Sequence, residues 1–355
     1  MCGLAGILNR RGERTPGVDI VTMANCMMDR YDGRGGGFAG YGIYPDYKDY
    51  YAFHLFLDNE EARERVEEYL KDRVAIIKDE EVQTRKIKEI PQRHVTWRYF
   101  VEVPHRFRSK QEFAAREEDY VVDTVMHINA EIDGAFVASS GKDMGVFKAA
   151  GYPCDVARLF KVDEYKAYTW VTHGRFPTNT QGWWGGAHPF NLLDWSVVHN
   201  GEISSYGTNR RYLEMFGYHC RLLTDTEVVA YLFDLLVRKQ GLSLETASIV
   251  LTPPFWDQIE RMPEEKRRLY KALRATYGPA MLNGPFGIIV TNRNAMIGLN
   301  DRIKLRPLIA AEDGNFTYIA SEESAIRSVA PEPQRVWAPK AGTPVVARLD
   351  KDVRP

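Results

Sequence analysis

A cysteine stands directly behind the initiator methionine, in Met1-Cys2-Gly3-Leu4-Ala5-Gly6. A small second residue permits removal of the methionine, which leaves a thiol and a free α-amine on one residue. The reference pKa of an α-amine is near 7.7–8.0, so about 10–20 % of it is free base at pH 7. A nucleophile that carries its own general base is one way of activating a thiol. Taken alone, Cys2 also fits a start codon followed by a buried strand. The rest of the chain must supply what such a nucleophile needs.

Three downstream segments carry suitable chemistry: His173-Gly174-Arg175-Phe176-Pro177-Thr178-Asn179, then His188-Pro189-Phe190 leading to His199-Asn200-Gly201-Glu202, then Leu223-Thr224-Asp225-Thr226-Glu227. A thiol attacking an amide carbonyl builds an oxyanion, which needs preorganised donors. Asn200 offers a side-chain N–H, and Gly201 a backbone N–H with no Cβ in the way. An α-carboxylate is matched by the planar fork of an arginine, here Arg175. An α-ammonium is matched by a fixed carboxylate, here Asp225 at a helix start. Each has a plainer reading. Asn200-Gly201 is the strongest two-residue hairpin signal, Thr224 with Glu227 fits a capping box, and Arg175 fits a surface cation. His173, His188 and His199 lack the close pairing of a metal set, so no metal is expected.

The elements that must hold these residues follow from pattern. Residues 3–8 read as a buried strand and 18–28 as a helix. Gly35, Gly37 and Gly40 match G-x-G-x-x-G, but a helical pattern precedes them and a strand pattern (41–44) follows. That order is the reverse of a dinucleotide fingerprint, so the expectation is a loop bordering a pocket. Over 50–130 the pattern predicts a small α+β lobe: a strand at 50–57, a helix from the Asn59 cap to 72, strands at 74–77 and 95–103, and a helix capped by Ser109 running to 130. Its acidic runs read as solvated faces. Residues 135–139 and 144–148 predict a β-hairpin, and 168–172 a strand ending at His173. Trp183-Trp184 reads as a loop, whose rings could either close over a bound substrate or serve local packing. Residues 243–277 predict two or three helices split at Pro253-Pro254, a candidate partner-docking surface.

Composition bounds the class. The chain has 355 residues, 44 % of them hydrophobic, and a formal net charge of −1. That charge argues against nucleic-acid binding, which needs a positive surplus. No apolar run reaches membrane-spanning length and no leader pattern opens the chain, so it is expected to be cytoplasmic. Cys2, Cys26, Cys154 and Cys220 form no C-x-x-C pair, which disfavours structural zinc or an iron–sulfur cluster.

In these residues the sequence resembles the class II glutamine amidotransferases, a branch of the N-terminal-nucleophile hydrolases. The likeness rests on Cys2-Gly3-Leu4-Ala5-Gly6, the three segments above in the same order, Gly284-Pro285-Phe286-Gly287, Asp301 to Leu308, and Tyr318-Ile319-Ala320-Ser321-Glu322. Arg175-Phe176-Pro177-Thr178-Asn179-Thr180 and the 135–148 pair are most similar to the glutaminase part of glutamate synthase. The resemblance implies a four-layer α-β-β-α sandwich over 2–350, with the 50–130 lobe inserted. It also implies a mature Cys2 that attacks the side-chain amide of L-glutamine through a γ-glutamyl thioester. Asn200 and Gly201 would form the oxyanion hole, Arg175 and Asp225 would hold the two α-substituents, and Thr178 and His188 would line the pocket. Many relatives carry His-Arg-Gly near the glycine-rich loop, whereas here Tyr31 follows Arg30. The chain leaves no room for a synthase, phosphoribosyltransferase or isomerase domain. The expectation is therefore a glutaminase subunit without a cofactor of its own. It would serve a separate glutamate-synthase-like subunit that accepts the ammonia and carries any flavin and iron–sulfur centres. The alternatives are another N-terminal cysteine amidohydrolase, or a catalytically silent regulatory or scaffold subunit of the same fold.

Overall fold

The run Gly-Leu-Ala-Gly-Ile-Leu-Asn forms strand Gly3–Asn9 at the heart of the molecule. It belongs to a computed structural model that describes residues 1–91, 94–104, 117–176 and 182–353. Among these residues an antiparallel sheet of seven strands runs in the order Arg335–Trp337, Ile309–Asp313, Phe316–Ala320, Gly3–Asn9, Thr169–Gly174, Gly36–Tyr41, Met144–Ala149. A second sheet of five runs Phe190–Leu192, Trp195–Gly201, Phe286–Asn292, Ala295–Asn300, Val345–Arg348.

Side-chain alternation sets the layers. Leu4 and Leu8 of the first strand meet Val198, Ile289 and Met296 of the second sheet in a buried middle layer. Ala5 and Ile7 point the other way, against Ile20 and Met23 of helix Val18–Cys26 and Val156 of helix Pro153–Leu159. Trp195 and Val197 likewise face outward, onto Val229 and Phe233 of helix Asp225–Phe233. Each such aliphatic side chain, fully withdrawn from water, contributes about 1.5–3 kcal/mol. The result is the expected α-β-β-α sandwich. No helix among the described residues is long and apolar enough to cross a membrane.

The lobe is a four-stranded sheet, Ala75–Glu81, Val95–Glu102, Tyr51–Leu57, Ala135–Ser139. Helix Glu60–Arg73 packs on one face of it through Ala62, Val66 and Leu70, and helix Glu117–Glu131 through Val121, Val125 and Ile128. The opposite face, with Ala52, Phe56 and Phe100, lies on the sandwich. Asn59 caps its helix as expected, accepting from the Ala62 N–H at 2.9 Å.

Two expectations and one plainer reading are corrected. Gly36–Tyr41 is a central strand paired on both sides, not a loop. Its glycines are there for packing: a Cβ on Gly37 would overlap the His188 carbonyl oxygen, and one on Gly40 would lie 2.7 Å from the Trp170 ring. Residues 135–139 and 144–149 do not pair with each other. The first joins the lobe beside Tyr51–Leu57 and the second joins the seven-stranded sheet beside Gly36–Tyr41. Asn200-Gly201 is no hairpin turn but the end of a strand, paired with Gly287 and Phe286. The helix that Asp225 begins runs to Phe233 and passes into a wider turn, Asp234–Lys239. Ser109 lies outside the described residues.

Candidate active site

Strand pairing brings the separated segments together. Gly3 lies opposite Gly174, so Cys2 and Arg175 leave neighbouring strands at one sheet edge. Asn200 and Gly201 end a strand of the facing sheet at the same end. Asp225 begins the helix behind it, where Thr224 accepts from the Glu227 N–H at 3.2 Å. Cys2, Arg175, His188, Asn200, Gly201 and Asp225 thus line one cavity of about 500 Å³. Thr178 lies outside the described residues.

The Cys2 Sγ accepts from the Phe176 N–H at 3.3 Å. Burial pushes the thiol above its ordinary range; the Phe176 N–H, the N-terminal amine, Arg175 and Arg30 pull it back in part. A thiol held neutral in this way needs a base to react. Met1 lies in the cavity mouth with its sulfur 2.9 Å from an Arg306 guanidinium nitrogen. Asn200 is buried, and its Nδ2 has no acceptor among the described residues. Native structures rarely leave a buried donor unpaired. Gly201 has φ +142°, and a Cβ there would overlap the Pro285 carbonyl oxygen, so glycine is required.

Charge is arranged at the two sides of the cavity. Burial lowers the Arg175 pKa, while Cys2, Asp32 and Asp225 favour its charge. A Cβ on Gly186 would overlap that guanidinium, so the glycine makes its bed. Burial alone would raise the Asp225 pKa, but His199, the Ile203 N–H (3.0 Å) and Thr226 outweigh it and hold the carboxyl below its ordinary range. Asp225 is therefore a fixed anion.

Sequence reasoning missed several positioning groups. Thr226 Oγ1 lies 2.8 Å from His188 Nε2, 3.1 Å from His199 Nδ1 and 3.3 Å from Asp225 Oδ1. His188 stacks on His173 at 3.9 Å between ring centres. Burial lowers the pKa of both, leaving the rings neutral. The three histidines belong to this hydrogen-bonded floor, and no metal-ligand cluster occurs among the described residues. Arg30 donates to the Cys2 carbonyl at 3.1 Å and pairs with Glu322 at 2.5 Å. Tyr31 packs over Gly3 and Gly174. Glu227 does not reach back to its helix cap; it accepts from the Arg221 and Leu222 N–H groups at 3.1 and 3.0 Å, holding the lip of the cavity. Only the Thr-Asp-Thr-Glu spacing hinted at these roles.

Residues 59–337 match the family of class II glutamine amidotransferases. The chain belongs to that family. It is 51 % identical over 351 residues to an uncharacterized protein of Archaeoglobus fulgidus, covering 98 % of this chain and 92 % of that one. A protein of Methanothermobacter thermautotrophicus with a provisional glutamine amidotransferase name is 25 % identical over 334 residues, 93 % of this amidotransferase and 94 % of the relative. The amidophosphoribosyltransferase of Methanocaldococcus jannaschii is 25 % identical over 202 residues, 56 % of this chain and 37 % of that enzyme.

Proposed function

We propose that this amidotransferase is a glutaminase that releases ammonia from L-glutamine for a separate acceptor subunit. The observation that carries the reading is that Asn200, whose Nδ2 has no acceptor among the described residues, lines the same cavity as Cys2, an arginine and a carboxylate. The two opposite charges suit the ends of an α-amino acid. An apolar acyl amide would need neither, which argues against a different amidohydrolase.

In this reading loss of Met1 frees the Cys2 α-amine. Arg175 binds the glutamine α-carboxylate and Asp225 its α-ammonium, with His188 along the wall. The α-amine takes the thiol proton as sulfur attacks the side-chain carbonyl carbon. Asn200 Nδ2 and the Gly201 N–H donate to the resulting oxyanion. The α-ammonium then returns the proton to the leaving nitrogen, the C–N bond breaks, and ammonia departs from a γ-glutamyl thioester. Water, giving a proton to the same amine, attacks the thioester; the C–S bond breaks and glutamate leaves.

The acceptor is read as a glutamate-synthase-like partner that holds any flavin and iron–sulfur centres, this chain needing no cofactor. Near-complete matches to two archaeal proteins, against a partial match to a longer amidophosphoribosyltransferase, support a detached glutaminase. Purified chain is expected to hydrolyse glutamine but not to aminate 2-oxoglutarate. Amination by the chain alone would overturn the subunit reading.

A further inference from the structure

One buried charge has no part in the steps above. Lys148 lies on strand Met144–Ala149, opposite Gly37 of the neighbouring strand. Its side chain is 1 % exposed. The ammonium sits 4.5 Å from the centre of the Phe190 ring and donates to the Ala187 carbonyl at 3.0 Å. Among the described residues this is its one hydrogen bond. Burial lowers its pKa to about 7, with Glu227 acting against that fall and Arg175 adding to it. A lysine placed like this is costly to bury. A methionine would fill much the same volume with no charge to desolvate. Filling space therefore does not account for it.

The carbonyl that Lys148 holds lies in the strap that carries the chain from Trp184 to His188. Gly186, just before it, seats Arg175: a Cβ there would lie 2.4 Å from a guanidinium nitrogen. Ala187 itself shares a face of Gly35 with Arg175, for a Cβ on Gly35 would lie 3.3 Å from the Ala187 Cβ and 3.2 Å from the Arg175 Cδ. The N–H groups of Gly186 and Ala187 donate to the Trp183 and Trp184 carbonyls at 3.2 and 3.0 Å, bonds that stay inside the strap. The bond from Lys148 crosses from the strap to the seven-stranded sheet, on which Arg175 also ends a strand.

We propose that Lys148 is a positioning residue for the substrate carboxylate, holding the strap where Gly186 seats the Arg175 guanidinium. The role rests on the glutaminase reading, in which Arg175 binds that carboxylate. Cys2, Asn200 and Gly201 are held by other strand pairs, so the lysine acts on substrate binding and leaves the bond-breaking groups in place.

Steady-state ammonia release by the full chain, with melting curves alongside, tests the role. Lys148→Met should raise KM for L-glutamine about tenfold and move kcat by less than about threefold. Gly186→Ala presses on the guanidinium directly and should give the same split. Arg175→Lys keeps a cation but removes the planar fork. In that background Lys148→Met should change kcat/KM by less than about twofold, because both changes act through one contact. A general loosening of the fold would instead cost the same factor in both backgrounds, and that result would overturn the proposal. So would an unchanged KM in Lys148→Met or in Gly186→Ala, or a Lys148→Met chain that does not fold. Wild-type chain that releases no ammonia would overturn the glutaminase reading, and the role with it; normal wild-type release with an unchanged Lys148→Met chain would overturn the role alone.

Discussion

Replacing Asn200 by alanine isolates the oxyanion step. The Asn200 backbone stays paired with Gly287, and the side-chain Nδ2 has no partner among the described residues to lose. Folding should therefore change by less than about 1 kcal/mol, since no buried acceptor is left unmatched. The substrate clamp, Arg175 and Asp225, is untouched, so KM should move less than about threefold. The loss falls where negative charge develops. Deleting one oxyanion donor costs about 2.7–4 kcal/mol, or about 10²–10³ in kcat. Steady-state ammonia release from glutamine, with thermal unfolding alongside, separates these quantities. A rise in KM at constant kcat would place Asn200 in ground-state binding. A large drop in stability would make it a structural residue. Either result refutes the reasoning.

Asp225→Asn should raise KM for glutamine roughly 10- to 100-fold, more than it lowers kcat, because a hydrogen bond to a charged group is worth about 1.5–3 kcal/mol; an unchanged KM counts against the ammonium role. Gly37→Ala should lower Tm by roughly 2–10 °C, since the new Cβ meets the His188 and Phe147 carbonyls, which are backbone and cannot turn aside. Gly207→Ala, in helix Tyr206–Glu214 with nothing closer than 3.6 Å, should be neutral or stabilising in the same assay. Burial raises the Glu227 carboxyl to about 7. With the folded pKa above the unfolded one, its share of stability is full below about pH 4.5 and is lost as pH rises through about 7. Urea midpoints measured from pH 5 to 8 should thus decline more steeply for the wild-type chain than for Glu227→Gln; parallel curves would contradict the assignment.

The sequence was most legible where a local rule and the tertiary demand agree. The apolar run 3–8, the alternation in 95–103 and the Asn59 cap all appear as the strand, strand and helix start that their patterns and side-chain chemistry imply. Cys2, Arg175, Asn200, Gly201 and Asp225 could be grouped because each residue type answers one need of a single reaction, whereas His188 joined them only through the family resemblance. The glycine run misled because glycine signals freedom locally. Here it answers a packing need, the closeness of the His188 strap and the Trp170 ring, that only the folded sheet creates. The 135–148 pair misled because a short connection normally joins neighbours, whereas Gly141 and Lys142 sit where one strand leaves for the lobe and the next enters the sandwich. Arg30, Tyr31 and Thr226 were invisible as site residues because they act through contacts 28 to 292 residues distant or through a shared hydroxyl.

The central claim is that Cys2, freed of Met1, is the nucleophile. Its most direct test is glutamine-dependent ammonia release by the full chain and by Cys2→Ala, with the N-terminal mass of each preparation determined. The wild-type chain should begin at Cys2 and release ammonia, and Cys2→Ala should release none above background. Undiminished release by Cys2→Ala, or full activity in chain that retains Met1, would contradict the account.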